Sequence, residues 1–421
     1  VSQSRSKWGI APKFLKGGCG AEVWDVDGHT YIDMVAALGP IILGHNNEYI
    51  YNAVMRQIGS GEYGLISSTL PTSLEVEVAE MLCDMIPGAE QVRFASNGAD
   101  VTNAAIKIAR YVTGKSDVIF TGYHGGHDSY LSTTDKDGGV VGSTSLWNHQ
   151  IPWGEFSFSE PIQERPISLL SDLAAIVVEV PPVAQNVSIA DVANILGRYK
   201  QIAHDAGALF IMDEVVTGFR YHLSGAQHDY GVTADLACFS KGMANGYPCA
   251  AITGPREYMK AFEGGKVFLS TTFGANAVGL AACKMTLEML YGTPALENLH
   301  AHGETIREHF VNMMAEYKIP ATLRGNAARM VIDWHFDQCA DRDELQTLWL
   351  QETIKRGVLF GVPIFPMTCY DDSITQKVLQ AANESFSVIA EVTDGKKRIN
   401  DALECPVIRT VFDRYKDQEN H

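Results

Sequence analysis

The chain has 421 residues, 46% of them hydrophobic, and a net charge of −17 at pH 7. That length buries a sizeable core and has room for one large domain and a smaller one, while the acidity argues against a nucleic-acid partner, whose phosphates need clustered Lys and Arg. No apolar run reaches the length of a membrane span, the first residues (VSQSRSKWG) lack the apolar core of a secretory signal, and eight scattered cysteines without a CxxC pair predict reduced thiols in a cytoplasmic protein.

Residues 21–34 (AEVWDVDGHTYIDM) alternate about an Asp27-Gly28 turn and predict a β-hairpin. Helices are expected near 47–58 and over 73–86, where apolar residues recur at helical spacing. Strands are expected at 91–95, 117–121, 175–180, 208–212, 235–239 and 249–253, with helical stretches between several of them. Runs that are apolar throughout, alternating with helices, predict an α/β fold with a mostly parallel sheet covered on both faces. After a long helix near 275–291 the alternation stops. The expected organisation is a large domain over 46–291, a smaller α+β domain over 292–421, and an N-terminal segment, 1–45, packed with the small domain.

Asp213 follows the apolar run 209–212, and Lys241 follows the run 236–240. An acid and a lysine at the ends of neighbouring strands suit pyridoxal phosphate. The amine forms a Schiff base with its aldehyde, and the carboxylate keeps the pyridine nitrogen protonated. Ser96-Asn97-Gly98-Ala99 follows the strand VRFA and opens a helix, presenting backbone N–H groups and a positive dipole end to a phosphate; helix capping by Ser96 or Asn97 accounts for the same residues. Tyr123, just past the strand DVIF, is either a packing residue or a face on which a ring stacks. His124 and His127 have a chelating spacing, but no metal is expected. Glu214 and Arg220 suit a structural ion pair. Thr113-Gly114-Lys115-Ser116 has the look of a P-loop end, yet Ala109 stands where that motif needs glycine.

In this order and spacing, ASNGAD, TGYHGG, DEVVTGFR and FSKGMANGYP resemble the class III aminotransferases of pyridoxal phosphate fold type I, in particular their glutamate-1-semialdehyde aminomutase-like branch. The likeness runs from WDVDGHTYID and GPIILGH to about residue 290. It implies pyridoxal 5'-phosphate as cofactor, with Lys241 as the Schiff-base lysine and proton carrier and Asp213 beside the ring nitrogen. It further implies Ser96, Asn97, Gly98 and Ala99 as the phosphate turn, and Tyr123 and Val215 on opposite ring faces. Thr272, in LSTTFGANAVG, matches a threonine that reaches the phosphate of the neighbouring subunit, which implies a homodimer with shared active sites.

The implied reaction moves an amino group from a small-molecule amino donor to a small oxo acceptor. An aminomutase or an amino-acid racemase would use the same residues. Three departures from the family pattern bear on the substrate. Glu179–Asn186 (EVPPVAQN) replaces a Glu-Pro-Val-x-Gly-Asn run, Ser67–Thr72 replaces the aminomutases' Gly-Ala-rich gating loop, and GVPIFPMTCYDDSI (361–374) offers no arginine for an α-carboxylate. Arg5 or Lys7 is either a substitute carboxylate binder or a solvated charge.

Overall fold

The computed structural model describes residues 11–59, 64–131, 148–150, 171–269, 272–336 and 338–408; Arg5 and Lys7 lie outside them. The chain divides into two compact units. One comprises Val1–Asn47, Pro182–Asn186 and Pro294–His421, the other Glu48–Pro181 and Val187–Thr293.

The first unit begins with an antiparallel meander, β1 (Leu15–Cys19), β2 (Glu22–Asp25) and β3 (Thr30–Asp33). The expected hairpin is β2–β3, with Val23 opposite Tyr31. Its turn is tied by the buried Asp25 carboxylate, which accepts from the backbone N–H groups of Asp27 and His29, both at 2.9 Å. Gly28 takes the left-handed conformation (φ 91°) that closes the turn.

The second unit holds the large sheet. In chain order it contains α1 (Glu48–Gly59), α2 (Ser73–Met85), β4 (Gln91–Ala95), α3 (Gly98–Thr113), β5 (Asp117–Thr121), β6 (Asn148–Gln150), β7 (Leu173–Glu179), α4 (Ile189–Asp205), β8 (Leu209–Asp213), β9 (Leu236–Phe239), β10 (Ala250–Gly254) and α5 (Ala277–Gly292). The helices begin where the sequence supplies caps. Thr72 accepts from the N–H of Glu75, Asn97 from that of Asp100, and Ser188 and Asp191 form a reciprocal box.

The sheet order is β4-β10-β9-β8-β7-β5-β6. From β9 to β6 neighbouring strands are parallel, and every residue of β5, β7, β8 and β9 is buried, as strands covered on both faces require. β10 is antiparallel to both its neighbours. Two reversals make β4 run in the direction of β9, so the carboxyl ends of β4, β5, β7, β8 and β9 share one edge of the sheet. β6 was not expected, because three polar residues carry no strand pattern.

The first unit is completed by α6 (Ala295–Glu316), β11 (Ala321–Asn326), β12 (Arg329–Trp334), α7 (Arg342–Lys355), β13 (Val358–Leu359), β14 (Pro363–Ile364) and α8 (Asp372–Thr393). β13 pairs in parallel with β3, joining sequence-distant parts into one sheet, and β11-β12-β14 form another. The core of this unit is aromatic. Trp349 stacks on Phe386 at 4.7 Å between ring centres and meets Phe360 at 5.0 Å. Such pairs add about 0.5–1.5 kcal/mol each beyond simple burial. Among the described residues, no helix is long and apolar enough to cross a membrane.

Candidate active site

The shared strand edge of the second unit collects the chemistry. Open α/β sheets bind ligands outside the carboxyl ends of their strands, because the helices that follow leave a crevice there. Asp213 is the last residue of β8. It stands opposite Glu179, the last of β7, and opposite Cys238 on β9. Lys241 comes three residues after Cys238, at the first position of a short 3-10 turn, Lys241–Ala244.

Asp213 is 4% exposed. Its Oδ1 accepts from the backbone N–H of Val215 at 3.0 Å, and its Oδ2 lies 2.8 Å from Nδ1 of His124. His124 is itself buried, with Nε2 at 3.0 Å from the carbonyl oxygen of Thr121. A carbonyl only accepts, so Nε2 carries a proton. The contact between Nδ1 and Oδ2 ties the ring to the carboxyl group. The hydroxyl of Thr102, on α3, fixes the histidine loop by donating to the carbonyl of His124 at 3.0 Å.

Lys241 has φ 44°, in the left-handed region that non-glycine residues seldom enter. Backbone strain of this kind persists where surrounding structure holds it, often at functional sites. Here the loop is closed by Ser240, whose hydroxyl donates to the carbonyl of Cys249 at 2.8 Å.

At β4 the chain passes through Ser96 into α3. The Asn97 side chain is occupied within the turn: its oxygen accepts from the Asp100 N–H at 3.1 Å, and its amide donates to Asp100 Oδ2 at 2.7 Å. Gly98 and Ala99, in the first helical turn, have N–H groups without an intrahelical acceptor. A Cβ on Gly98 would lie 2.8 Å from both Val215 methyl groups, so the helix start rests directly on the residue two beyond Asp213. A Cβ on Gly125 would come 2.6 Å from that of Ala99. The absence of a side chain at Gly125 is what lets the histidine loop approach Ala99 so closely.

Tyr123 is half-exposed, its N–H donates to Glu179 Oε2 at 3.0 Å, and its ring meets Tyr130 edge-on at 5.5 Å. Burial and the Glu179 charge push its hydroxyl pKa upward, so it stays neutral. Thr272 is exposed, in the turn before α5. That turn is held by Asn276, whose amide donates to the Ser67 hydroxyl at 3.0 Å.

Two groups have placements that the sequence did not suggest. His124 and His127 do not converge: His124 turns to Asp213, and His127 to Asp100 at 3.1 Å. The Glu214 carboxylate is fully buried and is met by the Thr217 hydroxyl and by the N–H groups of Ala226 and Gln227, both at 2.9 Å, rather than by Arg220. Burial pushes its pKa up to about 7, against the three hydrogen bonds, which favour the ion.

The class-III aminotransferase family model matches residues 10–381. The glutamate-1-semialdehyde 2,1-aminomutase of Persephonella marina is 31% identical over 403 residues, spanning 90% of this chain and 92% of that protein. The 3-aminobutyryl-CoA aminotransferase of Cloacimonas acidaminovorans is 30% identical over 389 residues, 91% of each. Among solved structures, the pyridoxal-phosphate form of the FumI protein from Sphingopyxis sp. MTA144 superposes with a TM-score of 0.81 at 24% identity, over 94% of each chain. With a family match over most of its length and the fold-type-I sheet described above, the chain belongs to the class-III aminotransferases, enzymes that depend on pyridoxal phosphate.

Proposed function

We propose that the chain moves an amino group from a small amino donor to a small oxo acceptor, with Lys241 as the catalytic amine. The observation that carries this reading is the strand-edge arrangement: Asp213 in register with Cys238, Lys241 just beyond, and the α3 N-terminus resting on Val215. The residues fit the cofactor. Two first-turn N–H groups suit a phosphate, and a buried carboxylate hydrogen-bonded by an imidazole suits a protonated pyridine nitrogen.

Pyridoxal phosphate, when bound, supplies an aldehyde for amines and a ring that accepts the electrons of a breaking bond. The protein does the rest. Asp213, held by His124, would face the ring nitrogen and favour its protonated form. The N–H groups of Gly98 and Ala99 bind phosphate, and Ser96 lines the same turn. Tyr123 and Val215 would hold the ring from its two faces. Lys241 Nζ takes a proton from the substrate carbon and returns it on the other side of the transfer.

We further assign the enzyme to a homodimer in the cytoplasm. Thr272 is exposed and stands next in the chain to Phe273, itself 61% exposed, as a residue serving a second subunit would. All eight cysteines are free thiols, which suits a reducing compartment.

An intramolecular amino shift is the second reading, favoured by the aminomutase relative at 31% identity. Ser67–Thr72 in place of a gating loop favours intermolecular transfer. The deciding experiment is a spectral screen of cofactor-loaded protein against amino donors. Bleaching of the visible band with release of one oxo product per site supports transfer. Isomerisation of a substrate such as glutamate-1-semialdehyde without oxo release overturns it in favour of the shift.

A further inference from the structure

His222, His228 and Asp229 each place a ligand atom within 4.8 Å of the other two, a grouping that no other trio of His, Cys, Asp or Glu achieves among the described residues. The turn that brings them together is built on Glu214. Gly225 has φ 80° and approaches so closely that a Cβ there would sit 2.6 Å from Glu214 Oε1. The chain then doubles back, with the Gly225 N–H donating to the His222 carbonyl at 3.0 Å and the His228 N–H to that of Gly225 at 3.1 Å. In consequence the two imidazoles stack face to face, with ring centres 3.5 Å apart and planes 5° from parallel. Asp229 Oδ1 lies 3.4 Å from Nδ1 of His228.

We propose that His222, His228 and Asp229 form a surface site for one borderline divalent cation, such as Zn²⁺ or Ni²⁺, with water completing its shell. Two imidazoles and a carboxylate are the donors such ions select, whereas Mg²⁺ and Ca²⁺ prefer oxygen. The spacing is right. Two nitrogens bound at about 2.1 Å to a tetrahedral ion stand about 3.4 Å apart, within the 4.8 Å that encloses the three ligand atoms. Binding requires the rings to tilt out of their stack, which His228 has room to do, its side chain being 54% exposed. The Ser224 N–H donates to Nδ1 of His222 at 3.0 Å, so an ion taken at that nitrogen gives up this hydrogen bond. The ion then clips the two ends of the turn together, over the carboxylate adjacent to Asp213.

The test uses tag-free, cofactor-loaded protein titrated with Ni²⁺ by calorimetry and by thermal melting. Wild type should take up one ion per chain and melt higher with it. His228→Ala and, independently, His228→Gln should weaken binding by more than the roughly tenfold that losing an outer-shell partner costs a metal site. Both variants should melt like wild type without the ion and gain nothing with it. Absence of uptake by wild type overturns the proposal, as does equal uptake by a His222→Ala/His228→Ala double variant.

Discussion

His124 and Asp213, 89 residues apart in sequence, meet through a 2.8 Å contact in which both side chains are buried. The second ring nitrogen of His124 is committed to the Thr121 carbonyl. The imidazole is thereby fixed in orientation and positions the acid without reaching the reacting atoms. Removing it should lower kcat/KM by about 10–100-fold, the scale of losing a partner that orients a functional group. His124→Asn, whose amide can place an N–H near the Nδ1 position, should recover part of the loss, and His124→Ala should not. Equal kinetics for the two variants would show that the imidazole only fills space.

Lys241→Ala should abolish covalent capture of pyridoxal phosphate. Borohydride reduction followed by mass spectrometry should find the adduct on Lys241 in wild type and none in the variant. Turnover should fall by about a thousandfold or more. An adduct on another lysine would move the catalytic amine elsewhere.

Glu214 gives a pH dependence whose sign is set by its raised pKa. The folded state binds its proton more tightly than the unfolded state, in which the carboxyl has its ordinary value near 4.5. Its contribution to stability is therefore complete below pH 4.5 and is lost as the pH rises through about 7. The difference amounts to roughly 3 kcal/mol. Glu214→Gln cannot titrate, and its amide leaves one backbone N–H without an acceptor. Wild type should melt well above the variant at pH 5, and the gap should narrow by pH 8. Parallel melting curves across that range would show that the buried acid does not titrate there.

Gly98→Ala places a methyl group against the Val215 side chain. Overpacking of this kind costs about 1–3 kcal/mol, more than a helix gains from exchanging Gly for Ala. The variant should melt lower and hold the cofactor more weakly. Adding Val215→Ala should restore melting, because it removes the methyl groups that collide. Failure of that rescue would place the strain elsewhere.

Thr272→Ala should weaken pyridoxal phosphate by several-fold, the equivalent of about one hydrogen bond. In mixtures with Lys241→Ala chains, the lysine-bearing Thr272→Ala chains should regain wild-type cofactor affinity only if subunits share sites. Unchanged cofactor affinity would give the phosphate another partner.

Much of this was legible in the chain. Asp213 and Lys241 stand out because each follows a run that is apolar throughout, and those runs are β8 and β9. The hairpin about Gly28 was marked by alternation and turn chemistry. What escaped was long-range or locally ambiguous. The spacing of His124 and His127 reads as chelation, while their different carboxylate partners are fixed by sheet topology. Glu214 and Arg220 have a spacing that suits an ion pair, yet the turn at 225–227 supplies the donors. His222 and His228 give no local signal, since it is the Glu214-seated turn that stacks them.

The backward direction of β10 has a consequence for assembly of the enzyme. The turn after β4 and the lysine after β9 share an edge only because β10 lies between those strands and bonds to both. The pairing of β10 with β9 is local, whereas its pairing with β4 closes a long loop. A nascent chain that has not yet placed Ala250–Gly254 holds its phosphate turn and its amine apart. Acquisition of the cofactor should then report completion of the sheet, and pyridoxal phosphate should act as a ligand that selects finished molecules over intermediates one strand short.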